Sequence, residues 1–175
     1  LEILDHAQLD KGRLVEWELE IFYSHETAIA VDDATDIMAD DDRCTLREAV
    51  ESANADAAVG GCRAGGRRDV ILLPAGVYAL TLEGTGENRN QTGDLDIRTS
   101  GSVSIRGAAD GGTILETDLK DRLIHVHGGS DATLSRLTLR GGFIDPDHIS
   151  LVGGGGILNQ DARLRIDDCT ISGNQ

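Results

Sequence analysis

Apolar and polar residues alternate along this chain in short bursts. The bursts fall at 70–73, 77–82, 95–97, 103–106, 113–115, 123–127, 132–134, 137–140, 156–158, 163–166 and 169–172, with polar or Gly-containing turns between them. Period-two alternation over so few residues predicts strands rather than helices. A further strand is expected at 29–31. One stretch departs from the pattern. Leu46, Ala49, Val50 and Ala53 recur at helical spacing, Thr45 stands at the capping position and Glu48 follows it at the capping-box spacing. Residues 45–55 are therefore expected to form a short amphipathic helix, with Arg47, Glu48, Glu51 and Asn54 on its polar side. A helix of about three turns is marginal alone, so it is expected to close one end of a stack of strands.

The strands repeat. Val103-Ser104-Ile105-Arg106-Gly107, Leu137-Thr138-Leu139-Arg140-Gly141 and Cys169-Thr170-Ile171-Ser172-Gly173 share one apolar-polar pattern, with starts 34 and then 32 residues apart. Asp131-Ala132-Thr133-Leu134 returns as Asp161-Ala162-Arg163-Leu164. Such periods mark a coil that buries its inward side chains against its neighbours. Val103, Ile105, Leu137, Leu139, Cys169 and Ile171 are the expected inward positions, and 142–155, with Pro146, is expected to leave the stack as a loop. A β-sandwich would need Asn-Gly or Asp-Gly hairpin turns. Asp110-Gly111 occurs, but such pairs do not recur. The fold class expected is all-β, a parallel β-helix with a short N-terminal capping helix.

The stretch CTLREAVESAN, then Gly61-Cys62, the run from Asp69 to Thr81 and Gly93-Asp94-Leu95-Asp96-Ile97 together resemble the CSLREA-type N-terminal region of bacterial right-handed parallel β-helix proteins. The resemblance runs from about Ala28 to the C-terminus. It implies a secreted or surface-displayed protein and says little about chemistry. Residues 1–23 read differently. LEILD, LDKGRLVEW and ELEIF resemble the closing strands of a P domain, the β-sandwich that follows the catalytic domain in subtilisin-type proprotein convertases. This resemblance implies a P-domain remnant over 1–23; residues 24–28 read as a linker, and the β-helix portion is expected over 29–175. The chain opens on Leu1 without an export signal and stops at Asn174-Gln175 without a capping element, so it is expected to be cut from a longer protein.

A net charge of −15 with 22 glycines argues against nucleic acid and anionic membranes as partners. No apolar run approaches a membrane span, so no membrane insertion is expected. Cys44 and Cys62 flank the predicted helix. In an oxidising compartment they are placed to bridge its ends, worth roughly 3 kcal/mol, the alternative being two free thiols. Cys169 reads as a small buried apolar residue.

Candidate chemistry is sparse. Asp32, Asp33, Asp36 and Asp40 form an acidic loop that could offer oxygens to calcium, although it lacks the Gly and distal Glu of an EF-hand loop; a solvated acidic loop is the other reading. Asp94 and Asp96 alternate on one strand, expected on a solvent face, with Arg98, Arg106 and Arg140 on neighbouring coils. This could serve a calcium-dependent polysaccharide lyase. His125 and His127 share a face and could bind a transition metal, but no third ligand is evident. Asp167-Asp168 and His127-Gly128-Gly129 resemble two polygalacturonase motifs in reversed order, without the other elements of such a site. The function expected is an extracellular structural or adhesive module contacting polysaccharide or a cell-surface glycan, non-catalytic in itself. The rivals are part of a polysaccharide lyase or hydrolase, and the C-terminal region of a secreted subtilisin-like protease.

Overall fold

The computed structural model describes residues 26–144 and 153–175. The hairpin expected over 1–23 and residues 145–152 of the expected loop lie outside the described residues. The elements are β1 (Thr27–Ala30), α1 (Leu46–Ala55), β2 (Arg68–Leu72), β3 (Gly76–Leu80), β4 (Leu95–Ile97), β5 (Ser102–Arg106), β6 (Thr113–Thr117), β7 (Ile124–Val126), β8 (Asp131–Ser135), β9 (Thr138–Arg140), β10 (Ile157–Asn159), β11 (Arg163–Asp167) and β12 (Thr170–Ser172). Every strand-like burst becomes a strand. Thr27 and Ala28 lie in β1, so the linker expected over 24–28 is strand at its end: Thr27 and Ala28 pair with Asp69 and Val70.

The strands form three sheets, in the orders β1-β2-β5-β8-β11, β4-β7-β10 and β3-β6-β9-β12. All pairs are parallel. From β2 onward the chain visits the three sheets in one constant order, so sequence neighbours never pair and each strand lies beside the strand one circuit away. Short strands with inward aliphatic positions make this work. Ile29, Ile71, Ile105 and Leu134 stand in register across the first sheet, Leu95 and Ile124 across the second, and Tyr78, Leu115 and Leu139 across the third. All are buried in one continuous core. Burying each such side chain fully is worth roughly 1.5–3 kcal/mol.

The repeat read from the sequence is partly misaligned. Leu137 and Cys169 begin equivalent segments, since Thr138 pairs with Thr170. Val103 does not belong with them, because β5 lies in a different sheet and Val103 pairs with Asp69 and Ala132. Asp131 pairs with Arg163, not Asp161; that two-residue slip keeps the same residues on the same face. Of the six inward positions, Val103, Ile105, Leu137 and Leu139 are buried and Cys169 packs partly on the core. Ile171 is exposed, at 45 %. It stands beside Leu139 on β12, the outermost strand of its sheet, and nothing among the described residues covers its far side.

α1 forms as its sequence dictates. Thr45 Oγ1 accepts from the Glu48 amide and Glu48 Oε2 accepts from the Thr45 amide at 3.0 Å, closing the capping box. Leu46, Ala49, Val50 and Ala53 are buried as expected. Arg47 and Glu48, assigned to the polar side, are buried too. Glu48 Oε1 accepts from the Ala39 amide at 2.7 Å. Arg47 forks onto Asp36 at 2.6 and 3.0 Å and donates to the Gly93 and Asp94 carbonyls at 2.8 and 3.1 Å. The helix packs against β2 and β4. A disulfide joins Cys44 to Cys62, with Cα atoms 4.5 Å apart, and ties the residue before the cap to the loop beyond the helix.

That helix seals a sheet edge. β4 is the outermost strand of its sheet, and such an edge normally offers free backbone groups. Here the Asp94 carbonyl accepts from Arg47. The Asp96 amide donates to Asn90 Oδ1 at 3.3 Å. The Asp96 carbonyl accepts from Asn54 Nδ2 at 2.8 Å, and the Arg98 amide donates to Asn54 Oδ1 at 2.7 Å. Side chains replace the missing strand.

Candidate functional site

The site is built on the outer face of the β4-β7-β10 sheet. Register does the first part of the work, because Asp96 pairs with His125 and His125 with Leu158, which lines those three positions up across the sheet. Alternation then puts His127 on the same face, two residues after His125. Asp94 joins from just before β4, and Arg122 from just before β7.

The connection from β3 to β4 folds over this face. Its root is pinched where the Gly93 amide donates to the Leu82 carbonyl at 2.7 Å. Gly93 has φ +63°, and a Cβ there would meet Asp121 Oδ2 at 2.3 Å and the Gly84 carbonyl at 2.4 Å, so only glycine fits. Glu87 organises the tip by accepting from the amides of Arg89, Gln91 and Thr92. Asn90 is fully buried. Its amide donates to Asp96 Oδ2 at 2.8 Å and its side chain donates to the Arg47 carbonyl at 2.9 Å, coupling the carboxylate to the helix.

Asp94 and Asp96 are therefore buried, at 2 % and 0 % exposure, and not on a solvent face as the alternation suggested. The covering loop is the reason. Asp94 Oδ2 lies 3.3 Å from Arg122 Nε, and Asp121 Oδ1 lies 4.0 Å from the same atom. Two carboxyl groups thus flank one guanidinium. Burial, reinforced by the charges of Asp96 and Asp121 and opposed by Arg122, pushes the Asp94 carboxyl up to about 8. Burial also raises Asp121 and Asp96, the latter against the lowering pull of its bond to His127. His125 is driven down to about 4 by burial and by the neighbouring His127 and Arg122 charges, so it is a neutral imidazole at pH 7. Its Nε2 meets Gln160 Oε1 at 3.0 Å, and its Nδ1 lies 3.6 Å from Asp96 Oδ1. His127 Nε2 lies 2.5 Å from the same oxygen. The two imidazoles are stacked, with centroids 3.6 Å apart.

Beside this cluster is a cleft of about 550 Å³, lined by the loop tip at Gly86, Glu87 and Asn88, by Asp94, Arg122 and His125, and by 158–161. Its walls offer carboxylate, guanidinium, imidazole and amide groups around Leu158. Such a surface can hold a polar, multiply hydrogen-bonding ligand.

The other expected site residues are not brought here. Arg98 is engaged by Glu51 at 2.8 and 2.9 Å, Arg140 by Glu116 at 2.6 Å, and Arg106 lies in another sheet. The four acidic-loop residues do not converge. Asp32 accepts from the Cys44 amide, and Asp33 from Thr35 with Arg43 close by. The Thr35 amide is the main cause holding the Asp33 carboxyl below its usual range. Asp36 is buried against Arg47 and accepts from the Thr81 and Leu82 amides. Asp40 is exposed. Among the described residues, the group whose potential ligand atoms gather within 4.8 Å is Asp96, His125 and His127, so Asp96 is the third group of ligating type that the histidine pair lacked in the sequence. Asp168 is a corner residue with φ 49° and Asp167 pairs with Arg165 at 2.6 Å.

Sequence reasoning missed Asn90, Asp121, Arg122 and Gln160. The signal for Arg122 was present, since Asp94-Leu95-Asp96-Ile97 and Leu123-Ile124-His125-Val126 are successive passes through one sheet, and aligning them brings Asp121 and Arg122 towards the Asp94 end of β4. Nothing local marks Asn90 or Gln160. No protein-family model, no curated protein and no solved structure matches this chain.

Proposed function

We propose that this chain is a portion of an exported right-handed parallel β-helix that uses the cleft on its β4-β7-β10 face to bind a glycan. The constant three-sheet circuit supports the β-helix, together with the resemblance of the 44–54 stretch to CSLREA-type regions. The Cys44–Cys62 disulfide supports an oxidising, extracellular setting. No helix among the described residues is long and apolar enough to cross a membrane.

The observation that carries the binding reading is the lining of the cleft. Sugar hydroxyls need mixed donors and acceptors, which Asn88, Arg122, Asn159 and Gln160 supply, while Leu158 offers an apolar floor for a ring face. With the Asp94 carboxyl raised to about 8 and so largely protonated at pH 7, Glu87 and Asp161 still outnumber Arg122 as charges, so a neutral or amino-bearing sugar fits better than a uronic acid. Calorimetry of the chain against neutral, amino and uronic oligosaccharides tests this. The expected result is saturable binding of a neutral or amino sugar, weakened at least tenfold in Gln160→Ala. Silence across both classes, or unchanged binding in that variant, would sink the reading.

A second reading, part of a polysaccharide lyase or hydrolase, is favoured by one observation. A carboxyl (Asp94), a guanidinium (Arg122) and an imidazole (His125) converge on one wall of the cleft. Turnover of the same oligosaccharides, abolished by Asp94→Asn, would favour this reading over simple binding.

A further inference from the structure

We propose that Asp96, His125 and His127 hold a divalent transition-metal ion of the zinc class, in a three-ligand site open on its His127 side. The inference stands on the geometry of these residues and does not rest on the glycan reading.

Two ligand atoms bound to one four-coordinate metal, with bonds of about 2.0–2.1 Å, lie roughly 3.3–3.5 Å apart. His125 Nδ1 and Asp96 Oδ1 are 3.6 Å apart. His127 Nε2 and Asp96 Oδ1, at 2.5 Å, are at hydrogen-bond distance and must separate by roughly 1 Å to admit an ion. His127 is the member able to give way, because its side chain is 21 % exposed whereas those of His125 and Asp96 are 6 % and 0 % exposed.

The partners of the ligands point the same way. Metal-binding imidazoles are usually fixed through their other nitrogen, and metal-binding carboxylates through their other oxygen. His125 Nε2 faces Gln160 Oε1 at 3.0 Å. An amide oxygen accepts, so Nε2 carries the proton and Nδ1 presents a lone pair towards Asp96. Asp96 Oδ2 is held by the Asn90 amide at 2.8 Å. This leaves an imidazole lone pair facing a carboxylate oxygen across 3.6 Å. A hydrogen bond from His127 satisfies the carboxylate but not that nitrogen, whereas a cation seated among the three satisfies both. Two nitrogen donors with one oxygen favour a transition metal over calcium or magnesium, which take oxygen ligands. Three protein ligands with an open position leave room for water or a ligand group.

The test is a titration of the chelator-treated 175-residue chain with Zn²⁺ by calorimetry, repeated for His127→Gln and His125→Gln, with circular dichroism to confirm that both variants keep the parent fold. The expected result is one saturable equivalent in the parent, at least tenfold weaker binding in each variant, and no displacement by millimolar Ca²⁺. The absence of saturable binding in the parent would overturn the proposal. So would parent-like affinity in both variants, which would place the ion elsewhere on the chain. Displacement by Ca²⁺ would overturn the metal class. Should either variant fail to fold, imidazole ¹⁵N resonances of the parent decide the matter. Zinc is expected to shift His125 Nδ1 and His127 Nε2, and shifts confined to other histidines would refute the site.

Discussion

Asp69 shows how one side chain can set a pH dependence. It pairs with Val103 in the register that puts Ile71 beside Ile105, so its carboxyl stands on the core-facing side of β2. Oδ1 accepts from the Gly66 amide at 2.8 Å, while Oδ2 is buried without a partner. Burial is the main cause that pushes this carboxyl from 3.8 up to about 6. Between those values the folded chain keeps a proton that the unfolded chain has lost. Stability from this group is therefore full below about pH 3.8 and is lost as pH rises to about 6. At about 1.4 kcal/mol per pKa unit the loss is at most about 3 kcal/mol. Asp69→Asn is expected to flatten the fall in urea-denaturation stability between pH 4 and pH 6.5; a parent-like slope in that variant would show that other carboxyls carry it.

At the scale of the element, α1 acts as a substitute strand. Arg47 and Asn54, two turns apart, reach the backbone of β4, while Arg47 also holds Asp36. Arg47→Met keeps the length of the side chain but leaves Asp36 buried without its charge partner. The expected cost is about 3–5 kcal/mol in urea denaturation, largely restored by adding Asp36→Asn. A loss confined to a few tenths would mean that Arg47 only packs. The helix itself was legible, because Thr45, Glu48 and the apolar stripe are local signals. The burial of Arg47 and Glu48 was not, because their partners Asp36, Ala39 and 93–94 are remote in sequence or lie in a loop without periodicity. The strands were equally legible from alternation. The sheet each one joins depends on circuit length, which varies. Arg68 and Ser102, Ser102 and Asp131, and Asp131 and Arg163 are paired across different spacings, and this misled the alignment of Val103 with Leu137. The candidate site was half legible for the same reason. His125 and His127 declare themselves by alternation, but the arrival of Asp96 beside them follows from register.

Across the whole molecule, stability comes from contacts between circuits. Strands of three to five residues have little worth alone. They gain it through parallel ladders such as Ile71-Ile105-Leu134, with the β4 edge closed by α1 and the disulfide beside it. The closure can be tested as a unit. Cys44→Ser with Cys62→Ser is expected to cost roughly 3 kcal/mol, read as a lower urea midpoint with a β-type spectrum retained. An unchanged midpoint would show that the capping box and Arg47 hold the helix unaided.

The clamp also has a history in time. Arg47 and the Asp94 carbonyl it grips are 47 residues apart in sequence, and the chain is made N-terminus first. At about 5–20 residues per second, the helix emerges several seconds before the strand edge it must cover exists. Helix formation itself takes about a microsecond, so throughout that interval α1 has its cap, its disulfide and β2 to lie on, but no β4 edge to grip. Arg47 and Asn54 are thus made before the β4 edge that they cover, and they wait without those backbone partners until it arrives.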